Sequence, residues 1–278
     1  MSRGRPPAGR IRVGIGGWNY APWRGSFYPP GLAQRRELEY AAQRLGSIEI
    51  NGTYYGSQKP ESFARWRDET PEGFVFAVKA PRYATNRRSL AGAGPTIERF
   101  FASGVMELGD KLGPINWQFL PTKVFEPDDF AAFLGLLPHS LDGRTLRHAV
   151  EVRHESFRSP EFVELARSHG VAIVLSADGT HPQIADRTAD FVYARIMGTR
   201  EDEELGYPAR ELDGWARRAE ALASGARPKE LDYVSARAEP VASRDVFLYV
   251  ISGHKVRNPR AAMALQERLG ERAANERT

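Results

Sequence analysis

The stretch Ala149-Val150-Glu151-Val152-Arg153-His154 contains the alternation that decides the fold. In an extended chain, Val150 and Val152 point to one side, and Glu151 and Arg153 point to the other. Charged side chains on the inner side of a buried strand are costly unless they pair with each other or bind a ligand. The stretch therefore predicts a buried strand that ends in a polar edge, where the charges form either an ion pair or part of a site.

The same pattern recurs along the chain, where short apolar or alternating segments end in polar side chains and amphipathic segments separate them. The predicted strands are 11–17, 47–51, 73–79, 114–120, 149–153, 171–177, 190–197 and 245–252. The predicted helices are 35–45, 60–69, 95–108, 127–137, one that begins after the N-cap Ser159, 212–223 and 259–269. We expect only a short helix in 179–188, and 224–243 is typical of a polar, irregular insertion.

About eight strands that alternate with helices predict parallel βαβ units, which match a closed TIM-type (β/α)8 barrel. A doubly wound open sheet would need a glycine-rich phosphate turn after the first strand. The sequence Gly14-Ile15-Gly16-Gly17-Trp18 lacks the spacing of that turn, and the indole of Trp18 would fill the space of the phosphate. We therefore predict an α/β fold, a single-domain TIM-type barrel over residues 11–270, with a C-terminal tail over residues 271–278.

The positive charge of the chain is concentrated at its N-terminus. Arg3, Arg5, Arg10 and Arg12 have no acidic neighbour in the first twelve residues, and the net charge of all 278 residues is +4. The rest of the chain is balanced, so we interpret residues 1–10 as a disordered basic arm and expect no broad nucleic-acid surface.

Three absences in the sequence bear on the location of the protein. It contains no cysteine, and it has no apolar run near the ~18 residues that a membrane span requires. The first twelve residues also lack the apolar segment of a secretory signal. These features favour a cytoplasmic protein that does not bind membranes.

The active site of a TIM-type barrel lies at the carboxyl ends of its strands. The polar or aromatic side chains at or just after these ends are Trp18, Tyr20, Glu49, Asn51, Tyr54, Lys79, Asn116, Gln118, Glu151, Arg153, His154, Asp178, Arg195, Ser252 and His254. So many ionisable groups beside aromatic rings predict a mouth that binds a ligand. The alternative is a structural ion-pair network, in which the pairs would be Glu49 with Lys79, Glu151 with Arg153, and Asp178 with Arg195.

Seven motifs occur in order over residues 11–270. They are Gly-Gly-Trp-Asn-Tyr (16–20), Phe-Tyr-Pro (27–29), Glu-Ile-Asn-Gly-Thr-Tyr-Tyr (49–55), Phe-Ala-Val-Lys-Ala-Pro-Arg (76–82), Leu-Gly-Asp-Lys-Leu-Gly-Pro (108–114), Ala-Val-Glu-Val-Arg-His (149–154) and Phe-Val-Tyr-Ala-Arg (191–195). Together they resemble the domain-of-unknown-function 72 family, the YecE-like proteins. The resemblance implies a TIM-type barrel and no settled activity.

The resemblance also implies family positions in this chain, which are Trp18, Glu49, Asn51, Tyr55, Lys79, Pro81, Gln118, Glu151, Arg153, His154, Asp178 and Arg195. Two segments depart from the family pattern. Ile251-Ser252 stands where the family commonly has an Asn pair, and Gln118-Phe119-Leu120-Pro121 stands where it commonly has Gln-Leu-Pro-Pro.

The first functional hypothesis is a metal-independent hydrolase or lyase that acts on a small polar or anionic molecule, sugar-like or phosphorylated. Glu49 and Glu151 would be its acid/base pair. The candidate catalytic residues are Glu49, Glu151, His154 and Lys79. The candidate substrate-binding residues are Trp18, Tyr20, Asn51, Tyr54, Tyr55, Gln118, Arg153, Asp178 and Arg195.

Two alternatives remain open from the sequence. One is a metal-dependent enzyme of isomerase or phosphodiesterase type, whose oxygen-rich ligands would be Glu49, Glu151, His154 and Asp178. The cations between these residues oppose it, because they already neutralise the carboxylates. The other is a protein that binds an anion or nucleic acid without chemistry. No motif indicates a cofactor, and we expect none.

Overall fold

Parallel strands alternate with helices in the computed structural model, which describes residues 9–237 and 242–275. The strands of the barrel are β1 Ile11–Gly16, β2 Ser47–Ile50, β3 Val75–Lys79, β4 Leu112–Gln118, β5 His148–Glu151, β6 172–177, β7 Phe191–Ile196 and β8 Asp245–Val250. Strand β6 is interrupted at Val174 and consists of two parts, Ala172–Ile173 and Leu175–Ala177. The longer helices are α1 Glu37–Ala42, α2 Pro60–Asp68, α3 Gly94–Ala102, α4 Pro127–Gly135, α5 Pro160–Ser168, α6 Ala209–Ala223 and α7 Asn258–Asn275. Each predicted strand is present within a few residues of its predicted bounds.

The sheet is nearly closed through the interrupted strand β6. Strand β1 lies between β2 and β8, and the remaining strands follow in chain order on either side. The first part of β6 pairs with β5, and its second part pairs with β7. Between these parts, the amide of Val174 donates to the carbonyl of Val150 at 3.0 Å. The predicted parallel barrel is therefore confirmed, and the doubly wound alternative is wrong.

Successive residues of each strand pack into two different cores, as the alternation in the sequence predicts. Val13, Ile48 and Val150 belong to the outer core, between the sheet and the helices. The inner core is small and includes buried alanines and the adjacent rings of Tyr193 and Tyr249. These alanines leave room for the two tyrosines, so apolar side chains fill the barrel below the polar layer at its mouth.

One side of the barrel is covered by irregular chain. Residues 178–190 form no helix, which contradicts the short helix expected there. Within them, buried Asp186 accepts hydrogen bonds from the amides of Val234 and Ser235, at 2.7 and 3.1 Å. The predicted insertion 224–243, of which 238–241 lie outside the described residues, thus packs against this loop.

Several boundaries differ from the prediction, and the structure adds a hairpin. The helix predicted to reach residue 108 ends at Ala102, because Gly104 takes a φ of +94° and the chain continues as a 3-10 helix, Val105–Lys111. Helix α7 continues through much of the predicted tail. Residues 1–8 of the predicted arm lie outside the described residues, whereas the amide of Arg10 donates to Asp245 at 3.0 Å. A hairpin at 140–145, with positive φ at Asp142 and Gly143, was not predicted.

None of the helices in the described part of the chain is long and apolar enough to cross a membrane.

Candidate functional site at the mouth of the barrel

Two glutamates and two arginines from three strands meet inside the mouth. The guanidinium of Arg195 on β7 donates Nη2–H to Glu49 Oε1 at 3.1 Å and Nη1–H to Glu151 Oε2 at 2.7 Å. Arg153, just after β5, donates to Glu151 Oε1 from Nε at 3.0 Å and from Nη2 at 2.6 Å. We call these four residues the Glu–Arg cluster. It brings the two proposed catalytic carboxylates to one guanidinium.

The electrostatics of the Glu–Arg cluster keep Glu151 ionised. Glu151 is fully buried, and Asn116 also donates to its Oε2 at 3.0 Å. Burial alone would raise the pKa of this carboxyl, but the charges of Arg195 and then Arg153 hold it well below its usual range. Glu151 is consequently a fixed anion at neutral pH and is poorly suited to donate a proton.

Lys79 lies in the same mouth but outside the cluster's ion pairs. Its side chain is buried, its ammonium donates to Oε1 of Gln118, and Nζ lies 4.4 Å from the ring centroid of Tyr54. Among the described residues, no carboxylate lies within ion-pair distance of it. Burial, and after it the positive charge of Arg195, lowers the pKa of Lys79 to about 8. Lys79 is therefore mostly protonated at pH 7, and its neutral fraction rises to about half at pH 8.

The list of candidates from the sequence omitted Tyr193, which belongs to the mouth, and His181, which lies near it. Tyr193 donates its hydroxyl hydrogen to Glu49 Oε2 at 2.5 Å. Strand parity is the signal for this residue, since Tyr193 shares the face of Arg195. Burial, and then the charge of Arg153, lowers the pKa of His181, so this ring lies within electrostatic range of the Glu–Arg cluster. No periodic pattern points to His181, because it occurs in an irregular loop.

Most predicted aromatic residues lie at the edge of the mouth or outside it. Trp18 packs edge-on against Trp66, with centroids 5.2 Å apart. Tyr20 packs with Lys255, whose ammonium is 4.3 Å from the ring centroid. Tyr55 is 66% exposed and packs against Tyr54 on the rim. The rings of the substrate-binding candidates Trp18 and Tyr20 therefore already have partners in the protein.

The remaining candidates have local roles. The ring of His154 accepts a hydrogen bond from the amide of Ser156 at 3.2 Å and so caps a short turn. Asn51 donates to the backbone carbonyl of Glu49 at 3.4 Å. Asp178, in the left-handed region with a φ of +58°, accepts hydrogen bonds from two residues of the α6 region, Trp215 at 2.9 Å and Tyr207 at 3.2 Å.

These contacts test the pairings of the predicted ion network. The pair of Glu151 with Arg153 is confirmed. The predicted pairs of Glu49 with Lys79 and of Asp178 with Arg195 are wrong. Arg195 instead forms ion pairs with both Glu49 and Glu151 across the lumen. Of the ligands of the metal-dependent alternative, Glu49 and Glu151 both bond to Arg195. Residues 9–237 and 242–275 contain no group of three or more His, Cys, Asp or Glu side chains placed to hold a metal.

Comparisons with known proteins agree on one family. The UPF0759 protein YunF of Bacillus subtilis is 26% identical over 217 residues, which cover 74% of this chain and 72% of that protein. The UPF0759 protein YecE of Escherichia coli strain K12 is 29% identical over 53% of this chain, and the match spans half of that protein. A DUF72 family protein from Thermotoga maritima has a crystal structure that superposes with a TM-score of 0.71, at 21% identity, over 94% of this chain and 99% of that one.

The family model agrees with these relatives and covers almost all of the chain. The model described as "Protein of unknown function DUF72" matches residues 12–278, a range that includes the whole mouth and every strand except Ile11, the first residue of β1. The protein therefore belongs to the DUF72 family.

Proposed function

We propose that the protein is an enzyme of hydrolase or lyase type that binds a small polar, anionic molecule at the mouth of the barrel. The observation that carries the proposal is Lys79, a buried cation whose partners are the neutral side chains Gln118 and Tyr54. An uncompensated buried charge is costly, and a bound anion would remove that cost.

The charge balance of the mouth supports this choice of ligand. In the described part of the chain, the cluster's two glutamates face its two arginines, and Lys79 adds a positive charge in excess. Arg153 donates from Nε and Nη2 to Glu151, and its side chain is 19% exposed, so the guanidinium is accessible to a ligand. Lys79 and Arg153 together would hold a carboxylate or phosphate group.

The contacts also change the assignment of catalytic roles. Both oxygens of Glu49 and of Glu151 already accept hydrogen bonds, and Glu151 is held as an anion. These carboxylates are therefore suited to fix the arginines in place. Lys79 has a pKa of about 8, near the working pH at which a proton-transfer group is most effective, so we assign it the acid/base role.

The variant Lys79→Met tests the proposal. Methionine keeps the apolar contact with Tyr54 and removes the buried charge, so we expect a melting temperature no lower than that of the wild type. We expect glyoxylate, citrate or glucose 6-phosphate to raise the melting temperature of the wild type. At a hundredfold excess over Kd, the free energy of unfolding should increase by about 3 kcal/mol. The same compound should leave Lys79→Met unchanged, and mass spectrometry should detect its conversion by the wild type alone.

Lys255→Met is the matched control. Lys255 also lies over a tyrosine ring, that of Tyr20, but it is not part of the proposed anion site. It should keep the full ligand shift and the conversion. An undiminished shift in Lys79→Met would place the ligand elsewhere. A shift without conversion would identify a binding protein rather than an enzyme.

A further inference from the structure

Lys79 differs from the other lysines of the chain in its surroundings. The sequence contains six lysines, at positions 59, 79, 111, 123, 229 and 255. Lys123 pairs with Asp129 at 2.9 Å, and Lys111 donates to the carbonyl of Arg67 at 2.5 Å. Lys59, Lys229 and Lys255 are exposed. Lys79 lies inside the barrel, against an aromatic ring and an amide.

We propose that Lys79 forms an imine with a small carbonyl compound that carries a carboxylate, such as a 2-oxo acid. This inference rests on the proposed function and names its substrate class. The amine needs an enclosed position beside a group that holds the carboxylate. Lys79 is buried between Tyr54 and Gln118, and the proposed function assigns the carboxylate to the partly exposed Arg153.

The reaction balances without a redox partner. The neutral amine of Lys79 attacks the carbonyl carbon and forms a C–N bond, while the π electrons move to oxygen. The nitrogen loses its protons, the oxygen gains them and leaves as water, and a C=N bond remains. Protonation of this nitrogen gives an iminium, which draws electrons from an adjacent C–C or C–H bond, as lyase chemistry requires.

The polar neighbours of Lys79 suit this step. The amide of Gln118 donates to the hydroxyl of Tyr54 at 3.4 Å, so both groups are oriented beside the amine. The carboxylates of Glu49 and Glu151 favour a positive charge on this nitrogen, and the guanidinium groups of Arg195 and Arg153 oppose it. The low pKa of Lys79 supplies the neutral amine that the attack needs.

Reductive trapping tests the inference. The purified full chain is incubated with glyoxylate or pyruvate and sodium borohydride, and peptide mass mapping then locates the reduced adduct. We expect one adduct per chain, on Lys79, formed at least about tenfold faster than on Lys111 or Lys255 because more of this amine is neutral. The rate should rise with pH through about 8, the pKa of Lys79.

Lys79→Arg is the matched variant, since it keeps the positive charge and removes the nucleophile. It should form no adduct at this position, and Lys79→Met provides a second variant if the arginine disturbs folding. Adducts spread evenly over the exposed lysines would overturn the inference. If glyoxylate stabilises the wild type but leaves Lys79 unmodified, the imine is wrong and the anion site stands. If glyoxylate, citrate and glucose 6-phosphate all fail to stabilise it and no adduct forms, both proposals fail.

Discussion

At the scale of single residues, His148 shows how burial fixes a protonation state. Trp117 donates its indole N–H to Nδ1 of His148 at 3.1 Å, and Nε2 lies 2.8 Å from the carbonyl oxygen of Pro138. Because Nδ1 accepts, Nε2 must carry the hydrogen and donate it, which makes the ring neutral. Burial lowers the pKa of His148 to about 4.

This pKa predicts a loss of stability in acid. Between pH 6.5 and 4 the unfolded histidine binds a proton that the folded one does not, so stability falls as the pH falls. We expect the free energy of unfolding of the wild type, measured with urea, to drop by about 2 to 3 kcal/mol more than that of His148→Gln between pH 7 and 4.5. His139→Gln, at an exposed histidine, should follow the wild type. Identical pH curves for His148→Gln and the wild type would contradict this assignment.

At the scale of elements, the loop 178–190 and the segment 226–237 stabilise each other in place of a helix. The buried carboxylate of Asp186 satisfies the amides of Val234 and Ser235, and the carbonyl of Asp232 accepts from the amide of Ala185 at 2.8 Å. The side chain of Ile184 lies in the outer core. The two irregular segments thus cover the sheet where a helix is absent, because they bury apolar side chains and pair their backbone groups.

The contact predicts a local effect of Asp186→Ala. The change leaves two backbone amides without their acceptor, so we expect a loss of about 2 kcal/mol in the free energy of unfolding. Hydrogen exchange should become faster at Val234 and Ser235 and stay unchanged in β1 to β4. The control is Asp190→Ala, at an exposed residue of the same loop. Equal exchange at Val234 in the two variants would mean that Asp186 does not hold the insertion.

At the scale of the whole molecule, Arg195 joins three strands that are separated along the chain. Its guanidinium connects β7 to Glu49 on β2 and to Glu151 on β5. These inward side chains meet across the lumen, above the alanines and tyrosines of the inner core. The Glu–Arg cluster therefore links opposite sides of the barrel.

This linkage predicts a large effect of Arg195→Met. Two buried carboxylates would lose a partner, and such a loss costs about 3 to 5 kcal/mol of unfolding free energy. The exposed pair of Arg200 with Glu211 is the control, and Arg200→Met should cost less than about 1 kcal/mol. Adding Glu49→Gln to Arg195→Met should recover part of the loss, because Glu49 would otherwise keep only the hydroxyl of Tyr193 as a partner. Purely additive costs would contradict the coupling.

The sequence by itself determined the parallel barrel and the layer at which its polar residues lie. The period of two in segments such as Val150 to Arg153 separates outward apolar residues from inward charges, and this rule needs only local geometry. It also placed Glu49, Lys79, Gln118, Glu151, Arg153 and Arg195 at one end of the barrel, because parallel strands bring their carboxyl ends to the same side.

Only the tertiary structure decided which of these charges pair. Arg195 reaches Glu49 and Glu151 because inward side chains of non-adjacent strands meet across a narrow lumen, a distance that spacing along the chain does not encode. That choice leaves Lys79 with neutral partners, and the folded loop brings His181 towards the mouth. Pairing energies depend on three-dimensional separation and burial, so a sequence pattern predicts which charges are present and the fold selects their partners.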